Sequence, residues 1–395
     1  MNKDILYIVN QEFINKNLNS DTASLLFKKH QNISVNIKEL IEQIESKKRC
    51  KKKLSTWYNC DSIYYPNKLN IEQTSSEITA QYKSNLISGK SIIDLTGGFG
   101  VDCLYFSKHF ESVTHCEINE ELSEIVKHNY KQLKVNNINC LSANGIELLK
   151  VNNKTYDWIY IDPSRRHDSK GKVFFLNDCL PNVPEQIDLL FNHSKKILIK
   201  TSPLLDFSIG INELQNVKTI HVVAVNNEVK ELLWVLEKDY EKSVEIVTKN
   251  IISNRSQAFE FLLDKEQATE AGYSEPLKYL YEPNAAILKA GAFKSVSSQL
   301  NIHKLHINSH LYTHAKLVEF PGRRFKIDKI LPYSKKLLKK EFLYKANITI
   351  RNFPETVNQI RTKFKIKEGG NIYLFFTIDD NNNKIVLVCS KIINR

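Results

Sequence analysis

The sequence predicts an α/β protein built on a doubly wound, mainly parallel sheet that ends in an antiparallel hairpin, with a helical N-terminal domain and small α/β C-terminal domains. Three observations lead there. The stretch Ile92-Ile93-Asp94-Leu95-Thr96-Gly97-Gly98-Phe99-Gly100, followed by Val101-Asp102-Cys103-Leu104, reads as a strand, a tight glycine turn and a helix. Glycines 97, 98 and 100 allow positive φ and close backbone approach, and the helix aims its free N–H groups at the same place. From residue 89 to about 238, short apolar strands alternate with helical segments, the pattern of a parallel sheet covered on both faces. The last two strands are separated only by Asn226-Asn227-Glu228-Val229-Lys230, too short for a crossover, so they pair as an antiparallel hairpin.

The elements follow in order. Apolar residues at helical spacing, such as Ile33, Ile37, Leu40, Ile41 and Ile44, make residues 1–70 a helical domain that ends in an aromatic and Asn-rich turn, Trp57 to Asn67. Thr74-x-x-Glu77 reads as a capping box for a helix through Ile78, Ala80 and Tyr82 toward Leu86. The core, residues 71–240, has strands at 91–95, 112–117, 139–143, 158–162, 196–201, 219–225 and 232–237, with helices near 101–109, 120–133, 181–192 and 210–216. After 240 the alternation weakens, and 241–274 reads as a connecting segment. Residues 275–318 form a small α/β unit. Residues 319–395 form another, with strands at 346–351, 373–377 and 385–389, a helix over 357–364 and a hairpin turn at Asp379-Asp380-Asn381-Asn382-Asn383.

At 395 residues, with 42% hydrophobic and 25% charged, the chain is long enough for two or three cored units. No run approaches the roughly 20 apolar residues of a membrane span, and Met1-Asn2-Lys3-Asp4 opens no signal peptide, so a cytoplasmic protein without membrane partners is expected. Seven cysteines without a C-x-x-C pair argue against a disulfide framework and a zinc ribbon. His303, His306, His310 and His314 match no standard ligand spacing, and no metal site is expected.

The net charge of +12 is uneven: residues 321–395 carry 17 Lys and Arg against 6 Asp and Glu, which leaves +11 there. Charge that defines a domain in this way points to a polyphosphate partner. The run Lys47-Lys48-Arg49-Cys50-Lys51-Lys52-Lys53 fits either such a partner or a solvated face.

The glycine turn admits a dinucleotide, S-adenosylmethionine or a purely structural role. A dinucleotide fingerprint needs G-x-G-x-x-G, and its third glycine is missing here. Asp94 stands where a carboxylate meets the amino-acid end of a ligand, and S-adenosylmethionine carries an ammonium group. Glu117, at the end of the second strand, is placed to accept ribose hydroxyls. Asn144, in Asn144-Gly145 after the third strand, offers an amide to adenine or simply shapes a turn. The fourth strand ends Asp162-Pro163-Ser164-Arg165-Arg166. Proline after the carboxylate fixes a rigid acceptor at the switch point, so Asp162 and Pro163 are the catalytic candidates. Arg165 and Arg166 are candidates for clamping substrate phosphates, or for bridging local carboxylates such as Asp168.

The ordered set Asp-x-Thr-Gly-Gly-x-Gly, strand-end Glu and Asp-Pro-Ser-Arg-Arg resembles class I S-adenosylmethionine-dependent methyltransferases with a Rossmann-like sheet, especially those that act on RNA. The segment Glu72 to Lys83 and the tail with Arg351-Asn352-Phe353-Pro354 resemble, more closely, a bacterial family with a ferredoxin-like domain (here 275–318) and a THUMP-like RNA-binding domain (here 319–395). The resemblance implies S-adenosylmethionine as cofactor, held by Asp94, Thr96, Gly97, Gly98, Gly100, Glu117 and Asn144, and RNA (rRNA or tRNA) as partner. Uridine C5 methyltransferases need a cysteine at the end of the next strand; this one ends Lys200-Thr201-Ser202-Pro203. An exocyclic nitrogen is therefore the expected acceptor. Competing readings are a methyltransferase for a protein or small molecule, and a non-catalytic RNA-binding scaffold.

Overall fold

The computed structural model describes residues 1–27, 35–165, 175–253, 255–341 and 345–393. Two compact units are present: Met1–Lys218 with Leu233–Glu241, and Thr219–Leu232 with Lys242–Arg395.

In the first unit, β1 (Gly89–Asp94), β2 (Phe110–Glu117), β3 (Ile138–Ser142) and β4 (Trp158–Ile161) are followed by a two-stranded ribbon, β5 (Ser164–Arg165) and β6 (Cys179–Leu180), and then by β7 (Lys196–Thr201). The parallel strands lie in the order β7-β4-β1-β2-β3. Their sequences explain their depth: Ile92, Ile93, Ile159, Ile161, Ile197, Leu198 and Ile199 are wholly buried, as strands covered on both faces require. The order reverses between β1 and β4, so a crevice opens beyond their carboxyl ends.

The helical N-terminal segment packs onto this core. Helix Ile37–Lys53 buries Leu40, Ile44 and Cys50. Gln43 holds the aromatic turn through both amide atoms, to Tyr65 O at 2.6 Å and from Tyr65 N at 2.8 Å. Asn129 does the same for Tyr64. The basic run is largely occupied with structure: Lys47 reaches Asn15, Lys48 the Ser20 carbonyl, Lys53 the carbonyls of Ile71 and Glu72, and Arg49 pairs with Glu72. Ile33 lies outside the described residues. The predicted cap at Thr74 is corrected. Helix Glu77–Leu86 is capped by Ser76, while Glu77 accepts from Ser55 Oγ and Thr56 N and so ties the two segments together.

The residues of β8 (Val217–Val225) and β9 (Glu228–Glu237) are divided between the two units; β8 turns into β9 through Asn226 and Asn227, at φ of 50° and 66°. Two left-handed residues make the tight turn of the expected hairpin. The segment read as connecting is instead regular. β10 (Glu245–Ile252) runs parallel to β8 and pairs with β11 (Arg255–Leu262), and helix Leu263–Ala268 follows. β10 alternates buried with half-exposed residues, β11 is mostly exposed, and their polar positions weaken the apolar signal.

The next strands are β12 (Tyr279–Pro283), β13 (His303–Lys304), β14 (Tyr312–His314), β15 (Gly322–Pro332), β16 (Asn347–Ile350), β17 (Ile372–Ile378) and β18 (Lys384–Lys391). They form one sheet ordered β13-β14-β12-β15-β18-β17-β16. Both faces are covered: Phe375 belongs to one apolar cluster, its neighbours Leu374 and Phe376 to the other. The eleven-residue β15 is absent from the expected strands because charged residues fill most of its outward positions. The turn at Asp379 closes as expected, with Asp379 N on Asn383 O at 3.0 Å.

Candidate active site

The first unit holds a cavity of about 820 Å³ at the carboxyl ends of β1, β2 and β4, lined by Asp94, Thr96, Gly97, Gly98, Glu117, Asn144 and Asp162 among others. The glycine turn, both strand-end carboxylates and the Asn-Gly turn thus share one wall.

Local chemistry shapes the turn. Asp94 is 1% exposed. Its Oδ1 accepts from Thr96 N at 2.9 Å and Thr96 Oγ1 at 3.2 Å, and its Oδ2 accepts from the Cys103 thiol. Burial pushes its carboxyl up to about 7, with the Thr96 amide opposing and the charge of Asp102 adding to the rise. Thr96 Oγ1 also accepts from Asp162 N at 2.7 Å, which locks the ends of β1 and β4 together.

Positive φ is needed at Gly98 (53°) and Gly100 (77°). Gly97 has a different reason: a Cβ there would lie 2.3 Å from Nε2 of His115. That ring is fully buried, donates from Nε2 to Gly98 O and packs edge-on against Tyr130. Burial pushes its pKa down to about 4, so it stays neutral beneath the turn.

Glu117 Oε2 accepts from Gly98 N at 2.9 Å and Oε1 from Asn119 N at 2.8 Å, so the strand-end acid braces the turn it faces. Asn144 is a helix cap whose Oδ1 accepts from Ile146 N and Glu147 N. Its Nδ2 makes no hydrogen bond among the described residues and is the group left for a ligand. Arg165 is described only as backbone in β5, and Arg166 and Asp168 lie outside the described residues.

Three features escaped the sequence reading. Lys200, at the end of β7, ion-pairs through Nζ with Asp162 Oδ2; their side chains are 15% and 31% exposed. Asp162 Oδ1 makes no hydrogen bond among the described residues. The signal was a lysine placed directly after the apolar run Ile197-Leu198-Ile199, near the carboxyl end of β7. Asp102 accepts from Tyr160 Oη at 2.8 Å and Ser75 Oγ at 2.9 Å and pairs with the buried Lys83. Burial alone would raise its carboxyl, but Lys83, Lys200 and these donors hold it below the usual range. Ile118 is 74% exposed yet lines the cavity between Glu117 and the cap Asn119; an apolar residue at a strand end was its signal.

Cys116 is the cysteine among the lining residues, and burial pushes its thiol up to about 12. A thiol held neutral is a poor nucleophile. Among the described residues, no group of three or more His, Cys, Asp or Glu is disposed to hold a metal, and no helix is long and apolar enough to cross a membrane.

Comparison with known proteins adds four findings. A ferredoxin-like domain model matches residues 279–321, and a THUMP domain-like model matches residues 322–391. The crystal structure of a candidate methyltransferase from Porphyromonas gingivalis is 31% identical and superposes with a TM-score of 0.88, covering 99% of each chain. An uncharacterized RNA methyltransferase of Mycoplasma mobile is 29% identical over 135 residues, 33% of this chain and 37% of its own length. The chain thus spans little more than a third of that relative.

Proposed function

Because the chain belongs to the bacterial family of class I methyltransferases that carry ferredoxin-like and THUMP-like C-terminal domains, we propose that it transfers a methyl group from S-adenosylmethionine to an exocyclic nitrogen of an RNA base, in rRNA or tRNA. The observation that carries this reading is Asp162, anchored by Lys200 on one oxygen and, among the described residues, without a hydrogen bond on the other, in the wall that holds the glycine turn.

The residues present fit the cofactor. The cavity has the volume of a small-molecule site. Glu117 would offer acceptors to ribose hydroxyls, the Asn144 amide N–H groups would suit a ring nitrogen of adenine, Ile118 would give its face an apolar contact, and Asp94 would pair with the ammonium group. When bound, the cofactor supplies a methyl group on a sulfonium, whose leaving group is already activated.

The protein's task is then alignment and desolvation. Asp162 Oδ1 would accept a hydrogen bond from the amine and so orient its lone pair for the transfer. Pro163 fixes the backbone behind it. Asp162 would stabilise the positive charge that the substrate nitrogen gains on accepting the methyl group, as the carbon–sulfur bond of the sulfonium breaks and leaves a neutral thioether, and would take the proton the nitrogen sheds. Covalent attack by cysteine is disfavoured, since the lining thiol of Cys116 is held neutral.

Asp94 gives this reading a pH signature. Its carboxyl titrates near 7 in the free protein, and a neighbouring ammonium favours the ionised form. Cofactor binding therefore releases a proton near neutral pH, and affinity falls by up to about tenfold per unit as pH drops below 7. Calorimetry in buffers of different ionisation enthalpy measures the release. Asp94→Asn should abolish it, and equal release from that variant would rule Asp94 out.

The substrate is tested by mass spectrometry of nucleosides from rRNA and tRNA of cells with and without the gene. Loss of one methylated nucleoside is expected, with the methyl on an exocyclic nitrogen. An unchanged profile would transfer the activity to a protein or small molecule, or remove it.

A further inference from the structure

The domain charge found in the sequence does not say which cations meet a ligand, and the second unit narrows the choice. Many of its basic side chains are already paired: Arg324 with Glu319, Lys363 with Glu355 and Lys326 with Asp328. One grouping is unlike these. Glu282 on β12, its side chain 4% exposed, holds two guanidinium groups at once. Arg323, its cross-strand partner on β15, donates from Nε to Oε2 at 2.5 Å, and Arg351, just past β16, donates from Nη2 to Oε1 at 2.9 Å.

We propose that Arg323 and Arg351 clamp a phosphodiester of the RNA backbone, at the junction of the ferredoxin-like and THUMP-like segments. The inference rests on RNA being the substrate.

A buried carboxylate needs a cation, and one guanidinium neutralises it. The second leaves a surplus positive charge. Both arginine side chains remain open to solvent, 39% for Arg323 and 34% for Arg351. Their Nη1 groups make no hydrogen bond among the described residues and are the donors left for a ligand; Nε of Arg351 is also unpartnered there but buried. Guanidinium forks match phosphate oxygens in pairs.

Both arginines are also held in place. Arg323 Nη2 reaches Thr349 Oγ1 on β16 at 3.4 Å. Arg351 N donates to Phe376 O, Asn352 takes a left-handed turn with Nδ2 on Nδ1 of His306, and Phe353 packs against Tyr333 and Phe376. Donors fixed before the ligand arrives lose little entropy on binding. Here Arg351-Asn352 and His306, which stand apart in the sequence, meet at one place.

The test is fluorescence anisotropy of the full chain with a fluorescein-labelled, mixed-sequence RNA oligonucleotide, repeated over a series of salt concentrations. Arg323→Gln leaves Glu282 paired with Arg351, and Arg351→Gln leaves it paired with Arg323, so each single variant keeps the buried carboxylate neutralised; Arg351→Lys keeps the charge without the fork. Each Gln variant is expected to bind RNA about 5- to 10-fold more weakly, with the slope of log K against log salt shallower by roughly 0.7 for each phosphate that the protein no longer neutralises, and Arg351→Lys is expected to fall between. Unchanged affinity and slope in variants with wild-type melting temperature would overturn the clamp while leaving the RNA reading intact. Polyglutamate competing as well as RNA overturns the phosphodiester assignment. A wild-type chain that binds no RNA overturns clamp and RNA reading together.

Discussion

Asp162→Ala is expected to lower the rate of methyl transfer by at least roughly 100-fold, within the span of a positioned proton acceptor, while cofactor affinity changes only a few-fold. The reason for the separation is geometric. Asp162 meets the glycine turn through its backbone N–H on Thr96 Oγ1, a contact that alanine retains, whereas its carboxylate points to Lys200 and into the cavity. Lys200→Met should lower the rate by about tenfold, because the carboxylate loses the anchor that leaves Oδ1 for the substrate. The two residues act as a unit, so the double variant should be no slower than Asp162→Ala alone. Rate constants from single-turnover assays decide this. Additive losses would mean that Lys200 contacts the substrate independently, and a Lys200→Met enzyme with an unchanged rate would remove it from the site.

The second large effect is expected at Gly97. Alanine there places a Cβ 2.3 Å from His115, and the ring has no room to retreat because it is buried against Tyr130. Overpacking of this kind costs about 1–3 kcal/mol. The turn yields before the ring does, so cofactor affinity should fall roughly 10- to 100-fold, measured by calorimetry. Gly97→Ala combined with His115→Ala removes the collision and should recover part of that loss. No recovery would show that Gly97 matters for its backbone freedom and not for the space it leaves.

Much of the fold was legible because it depends on local pattern. β7 at Lys196–Thr201, helix Val357–Phe364 and the turn at Asp379 were all readable from apolar runs and turn residues. At the start of helix Glu77–Leu86 the sequence pointed to Thr74 as the cap, whereas Ser76 caps it and Glu77 is taken up by Ser55 and Thr56. β10 and β15 were hidden because their polar and charged positions obscure strand periodicity.

The same division runs through the site. Asp94, the three glycines, Glu117, Asn144 and Asp162 announce themselves, since they stand at or just past the ends of β1, β2, β3 and β4, although Gly100 is not among the residues that line the cavity. That order by itself determined the fold class and the place of the cavity. Only the tertiary structure decided what each residue does there: that Gly97 makes room for His115, that Asn144 spends its oxygen on a helix, that Lys200 anchors Asp162, and that Arg323 and Arg351 share Glu282. Strand and turn propensities act over a few neighbouring residues and are written in order along the chain. Ion pairs and close packing depend on distances between strands that the sequence does not record.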